Sequence, residues 1–242
     1  MEIDRDKCVG CGRCIPYCPV EAITMDGDVS RIELDECVEC GNCLRSAQCP
    51  TDAIYQQELA YPRTVRSLMS DVLTIAEESQ ISGRGTEEMK TNEVTGRFGL
   101  GEAGVAIEVG RPCLAARLYD VEKIAQAVAK IGVTFEPQNP VTSMLADTST
   151  GKFKEELLNE RVLSAIIEFS VKLEQLPKLF EMLRDVSERI ETVFSLDLVT
   201  RIAPDGSVPT DRYVAEAGLR VAPNGKTNVG LGRPLFEGRS GR

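Results

Sequence analysis

The sequence predicts an α+β protein in three parts: a small cysteine-rich module at residues 1–58, a connecting segment at 59–103, and a split β-α-β-β-α-β domain at 104–242 with an added C-terminal hairpin. Three observations predict it. Eight of the nine cysteines lie within the first 49 residues, as two copies of one spaced pattern. Beyond Gly104 the apolar residues switch twice between strand and helix spacing. Near the end, Asn224-Gly225 separates two short apolar runs, as the dipeptide of a type I′ hairpin does.

The first cysteine run is Cys8-x2-Cys11-x2-Cys14-x3-Cys18-Pro19, and the second is Cys37-x2-Cys40-x2-Cys43-x5-Cys49-Pro50. Both sit inside a longer repeat. Asp6-Lys7-Cys8-Val9-Gly10-Cys11-Gly12-Arg13-Cys14 aligns with Asp35-Glu36-Cys37-Val38-Glu39-Cys40-Gly41-Asn42-Cys43, and Cys18-Pro19-Val20-Glu21-Ala22-Ile23 aligns with Cys49-Pro50-Thr51-Asp52-Ala53-Ile54. Repeated sequence predicts repeated structure.

Soft thiolates grouped in fours are the ligands of iron–sulfur clusters. A disulfide framework fits poorly, because the x2 spacing crowds the thiols too tightly for four independent bridges. Zinc shares the C-x2-C grammar but needs two pairs per ion, whereas each run here supplies three thiols and then a Cys-Pro. The chain contains no histidine, which excludes a Rieske-type site. A C-x2-C-x2-C loop can curl around one cube and aim backbone N–H groups at it. Gly12 and Gly41, directly after the second cysteines, allow that close approach. Pro19 and Pro50 turn the chain after each fourth cysteine. Ile3, Ile15, Val20, Ile23, Ile32, Leu34, Leu44 and Ile54 are expected to wrap the cofactor and limit water.

Over about residues 1–58, a quarter of the chain, these motifs resemble the bacterial dicluster ferredoxins. The resemblance implies a pseudo-twofold module with two 4Fe–4S clusters and crossed ligation, the fourth cysteine of each run serving the other cluster. Carried over, Cys8, Cys11, Cys14 and Cys49 would hold cluster one, and Cys37, Cys40, Cys43 and Cys18 cluster two. The chain departs from the pattern once: five residues, Leu44 to Gln48, stand where the usual spacing is three. The expected result is a bulge beside cluster one that tunes its potential, shapes a docking surface or is a neutral insertion, the last two being favoured.

In the connecting segment, Val65, Leu68, Met69, Val72, Leu73 and Ala76 predict a helix within 63–77, packed on the cluster module. Residues 82–104 hold six glycines. Gly99-Leu100-Gly101-Glu102-Ala103-Gly104 reads as G-x-G-x-x-G, but a strand-like run follows it, against a dinucleotide site. Strands are expected at 104–110, 133–137, 162–171 and 194–202. The first helix is expected to start at a capping Asp120 and to end at Ile131 before Gly132. The second starts near Pro177 and carries Leu176, Leu179, Phe180, Leu183, Val186 and Ile190. The hairpin is expected to join 219–222 to 226–231.

Formal net charge is −10, and residues 1–60 carry 12 Asp/Glu against 5 Lys/Arg. An acidic module disfavours nucleic acid and favours docking on a basic patch of a redox partner protein. No apolar run approaches the roughly 18–20 residues of a membrane span, and no signal peptide precedes Cys8, so a cytoplasmic protein is expected. Arg97, Arg111, Arg117 and Arg233 either line an anion site or pair with surface carboxylates, and Cys113 reads as a small packed residue, a reactive thiol or a ninth ligand. No Ser/His or Cys/His catalytic set is possible without histidine.

The expected function is therefore low-potential electron transfer by a non-catalytic subunit of an anaerobic oxidoreductase complex, its C-terminal domain docking on the catalytic partner. Two alternatives place a ligand site in that domain: a ferredoxin-dependent reductase, and a redox-linked small-molecule sensor.

Overall fold

The computed structural model describes residues 1–75, 98–111 and 114–221. The N-terminal module is held by two small antiparallel ladders. Strand β1 (Glu2–Ile3) pairs with β4 (Ile54–Tyr55), which brings the start of the first repeat against the end of the second. Between them β2 (Ile23–Asp26) and β3 (Val29–Ile32) form a hairpin turned at Gly27. A five-residue helix, α1 (Asn42–Ser46), carries Cys43.

The module's core contains Met1, Ala22, Ile23, Ile32, Ala47 and Ile54 with Cys14, Cys37 and Cys43, and Ile3, Ile15 and Val20 pack against it. Leu34 and Leu44, expected in this shell, are instead exposed. Helix spacing explains Leu44: Cys43 and Ala47, four apart, take the inward face of α1 and leave Leu44 outside. Leu34 contributes its carbonyl rather than its side chain, as described below.

Helix α2 (Thr64–Ser70) is shorter than its apolar spacing predicts, ending as the chain becomes extended at Asp71. Val72 and Leu73 are consequently exposed. Its buried residues Val65 and Met69 belong to the core of the second domain, so this helix packs there as well as beside the cysteine module.

In that domain β5 (Glu102–Val109), β7 (Thr134–Phe135), β11 (Ala165–Lys172) and β12 (Phe194–Thr200) make one antiparallel sheet in the order β12-β5-β11-β7. Counted along the chain within the sheet, the order is 4-1-3-2. Each β-α-β unit thus leaves a gap that a strand of the other unit fills. The register aligns Ala165, Ile167, Phe169 and Val171 with Val109, Ile107, Val105 and Ala103, and Phe194, Leu196 and Leu198 continue the stripe on the other side. Helices α3 (Leu118–Ala129) and α5 (Leu176–Ser187) contribute to the same core Val121, Ile124, Ala125 and Val128, and Leu179, Phe180, Leu183 and Val186. Phe135 and Phe169 meet edge to face, 6.2 Å between ring centroids.

Two differences from the sequence-based expectation have physical reasons. Helix α3 begins before Asp120: its N-cap is Arg117, in extended conformation. Asp120 lies buried in the first turn, where it accepts from Lys123 Nζ at 2.8 Å and from the Glu191 N–H at 3.1 Å. Strand β11 starts at Ala165, because the chain before it bends into a separate two-residue strand, β10 (Arg161–Val162), paired with β6 (Ala116–Arg117).

Between β7 and β10 the structure also has elements the apolar spacing did not suggest: helix α4 (Pro140–Ser143), capped by Asn139, and the hairpin of β8 (Leu145–Asp147) and β9 (Lys152–Phe153). Helix α6 (Asp211–Glu216) follows β12. The last residues of the G-x-G-x-x-G run, Glu102 to Gly104, belong to β5, so no helix follows that motif. The expected Asn224-Gly225 hairpin, Arg97, Cys113 and Arg233 lie outside the described residues.

Candidate iron–sulfur centres

The sequence repeat is also a backbone repeat. The Cys8 N–H donates to Asp4 O and the Cys37 N–H to Glu33 O, each at 3.0 Å. Cys18 Sγ accepts from the Ala22 N–H at 3.1 Å, and Cys49 Sγ from the Ala53 N–H at 3.4 Å. Positive φ falls at matching places: 64° at Gly10 and 56° at Glu39, 67° at both Gly12 and Gly41, and 54° and 50° at Glu21 and Asp52. Left-handed residues at alternate positions produce the N–H-lined concavity that suits an anionic group.

The two repeats together surround two cavities that open to solvent, the open mouth being included in the volumes given. One, about 310 Å³, is lined by Cys8, Cys11, Cys14 and Cys49 with Ile3, Val9 and Ile54 among the apolar residues. The other, about 300 Å³, is lined by Cys18, Cys37, Cys40 and Cys43 with Val20, Ile23 and Ile32. Three cysteines of one run and the fourth of the other therefore meet at each cavity. The five-residue spacing before Cys49 is absorbed locally: the first run makes a three-residue 3-10 turn, Ile15–Tyr17, where the second makes the longer α1. Cys49 still reaches the first cavity.

The thiols are not chemically alike. Cys43 is pushed up to about 12 by burial and by the neighbouring Cys37, Cys40 and Cys18. Burial also raises Cys37, with Glu39 adding to it, and raises Cys40. Burial works upward on Cys49 too, but the N–H groups of Thr51, Ala53 and Ile54 and the Thr51 hydroxyl outweigh it and hold this thiol below its ordinary range. Crowded thiols of this kind ionise readily only when a metal replaces their protons.

Among the described residues, no three His, Cys, Asp or Glu side chains are gathered tightly enough for a single ion. The sulfurs instead surround open volumes. Four thiol donors, an apolar lining and nest-forming backbone around each volume fit a cube of iron and sulfide.

The two cavities differ in surroundings. Around the first, Cys11 is exposed and Val9 is 63% exposed. Beside the second, arginines dominate. Arg63 Nη2 donates to Leu34 O at 2.9 Å. Arg66 Nη1 reaches Leu34 O, Asp35 O and Cys37 O at 3.2, 2.7 and 2.8 Å. Arg161 Nη1 donates to Glu36 O at 3.0 Å, and Arg45 Nη2 to Cys40 O at 2.6 Å. All four consecutive carbonyls from Leu34 to Cys37 thus accept from arginine. Arg117 pairs with Asp35 Oδ2 at 2.6 Å and Glu36 Oε1 at 3.1 Å, and its guanidinium holds the Asp35 carboxyl below the usual range.

Glu39, fully buried between Cys37 and Cys40, binds Arg63 at 2.6 and 2.8 Å and the Met1 ammonium. Burial alone would raise its carboxyl, and these two cations lower it overall.

Arg117 and Arg111, read from sequence as possible anion ligands, are therefore paired: Arg117 as above and Arg111 with Glu108 at 3.1 Å. Sequence reasoning missed Arg63, Arg66, Arg161 and Glu39. The one visible signal was Glu39 standing where the first repeat has Gly10.

Comparison with known proteins gives one family match, at the start of the chain. Residues 1–24 match the 4Fe-4S binding domain family. No curated protein and no solved structure matches the chain. The family match implies 4Fe–4S cluster binding in the N-terminal region and, with it, iron–sulfur electron transfer. Among the described residues, no helix is long and apolar enough to cross a membrane.

Proposed function

We propose that the chain carries two 4Fe–4S clusters with crossed ligands and passes single low-potential electrons as a subunit of a larger, anaerobic oxidoreductase assembly. In this reading Cys8, Cys11, Cys14 and Cys49 hold the first cluster, and Cys18, Cys37, Cys40 and Cys43 the second. The observation that carries it is the meeting of each run's fourth cysteine with the other run's three, at two cavities of similar size. A bound cluster supplies reversible one-electron chemistry. The chain's own residues hold the sulfurs, exclude water with Ile23, Ile32 and Ile54, and fix the module to the second domain.

Residues 1–58 are then the electron-carrying unit and 104–242 the unit that docks it on a catalytic partner, joined through α2 in the 59–103 segment. The absence of histidine from the whole sequence supports a carrier over a catalyst. A cytoplasmic location is part of this proposal.

The test is reoxidation. Dithionite-reduced protein, freed of excess reductant, should keep its electrons in buffer with candidate organic acceptors and lose them when a co-purifying oxidoreductase and its substrate are added. Rapid oxidation by a small organic substrate alone would instead establish the reductase alternative. A change of potential on ligand binding, without turnover, would establish the sensor.

A further inference from the structure

The internal repeat makes the two centres nearly equivalent, and helix α2 together with the second domain removes that equivalence. Carbonyls of Leu34, Asp35, Glu36 and Cys37 all accept from Arg63, Arg66 or Arg161. In the first repeat, Arg5 and Arg13 donate instead to the side chains of Asp26 and Gln48, at 2.8 and 3.2 Å. Arg66 is central: its side chain is 4% exposed, Nη1 holds three of these carbonyls, and Nε is bound by Glu160 of the second domain. The ion pair is a dipole with its positive end turned toward the backbone of a cysteine ligand. Reduction adds negative charge, so positive charge held close in a water-poor site favours it.

We propose that this arginine cradle makes the second centre (Cys18, Cys37, Cys40, Cys43) the more easily reduced of the two, with Arg66 the residue that positions it and sets the difference. The proposal rests on the two-cluster reading above. An electron supplied by an external one-electron donor enters at the exposed first centre. With both clusters bound, it would then come to rest on the second, held beside α2 and the second domain, with no bond made or broken. Arg66 touches ligand backbone, so its part is positioning and electrostatic.

Anaerobic redox titrations followed by electron paramagnetic resonance of the full chain test this, with Cys11→Ser used only to assign which signal belongs to the first centre. The wild type should show the second centre filling first. Glu160→Gln, which removes the negative end of the dipole and leaves the cradle in place, should shift that midpoint upward and leave the other where it was. Arg66→Met should shift it downward, and Arg66→Lys should fall between.

Loosened packing would move the variants in one direction or move both signals, and either result overturns the proposal. So does a first centre that fills first in the wild type. If Arg66→Met does not fold, Glu160→Gln decides alone: an upward shift confined to the second centre supports the proposal, and any other result sinks it. A protein with two clusters and equal midpoints refutes only this inference. One that binds about four irons or fewer per chain refutes the two-cluster reading as well.

Discussion

Gly10 and Glu39 hold the same place in the two repeats and the same left-handed conformation, but they meet its demands differently. At Gly10 an added Cβ would lie 2.1 Å from Asp28 O, so no side chain fits. At Glu39 the strain, about 1–2 kcal/mol for a residue with a side chain, is offset by the buried bonds to Arg63 and the Met1 ammonium. Gly10→Ala should therefore displace the Cys8–Cys11 loop while sparing the second centre, lowering bound iron by roughly half. Unchanged iron content would show that the loop yields without cost. The cysteine positions were legible in the sequence because metal chemistry ties residue type to spacing. The arginines were not, since an arginine's partner is set by folding and any of the 28 cationic residues was an equal candidate.

At the level of elements, α2 joins the two halves: Val65 and Met69 enter the second domain's core while Arg63 and Arg66 hold the cysteine loop. Truncating buried Met69 to Ala should cost about 2–5 kcal/mol in denaturant unfolding of the second domain. It should also broaden the second centre's spectroscopic signal, because the helix that bears Arg66 loses its seat. A loss of stability with an unaltered signal would separate the two roles.

The contact of Tyr61 Oη with Glu156 Oε1, at 2.8 Å, gives a pH signature. The hydrogen bond to Glu156 raises Tyr61, so its contribution is present at neutral pH and lost as pH rises through that raised value. Glu156 is lowered, first by a backbone hydrogen bond and then by Tyr61, so its contribution is present above the ordinary glutamate range and lost as pH falls through the lowered value. Amide protection around 155–157, corrected for the intrinsic pH dependence of exchange, should be highest between those limits, and Tyr61→Phe should remove the alkaline edge and only weaken the acid one, since the backbone hydrogen bond to Glu156 remains. The main strands and helices were legible from apolar period because each buries one face. Helix α4, the β8–β9 hairpin and β10 were not, being too short to show a period and held by Asn139, by the tight seating of Gly151 on α3, and by pairing with β6.

At the scale of the whole molecule, an acidic, cysteine-rich module is bound to a larger α+β domain by ion pairs centred on the Asp35-Glu36-Cys37 loop. Most of these pairs are only half-buried, and such pairs are screened by salt. Arg66 is not, so the junction should survive moderate ionic strength. The account stands on two cubane clusters sharing eight cysteines across two repeats. Iron and acid-labile sulfide, measured per chain in anaerobically purified protein, test this most directly. About eight of each is the expected result. About four of each, or zinc in place of iron, would contradict it.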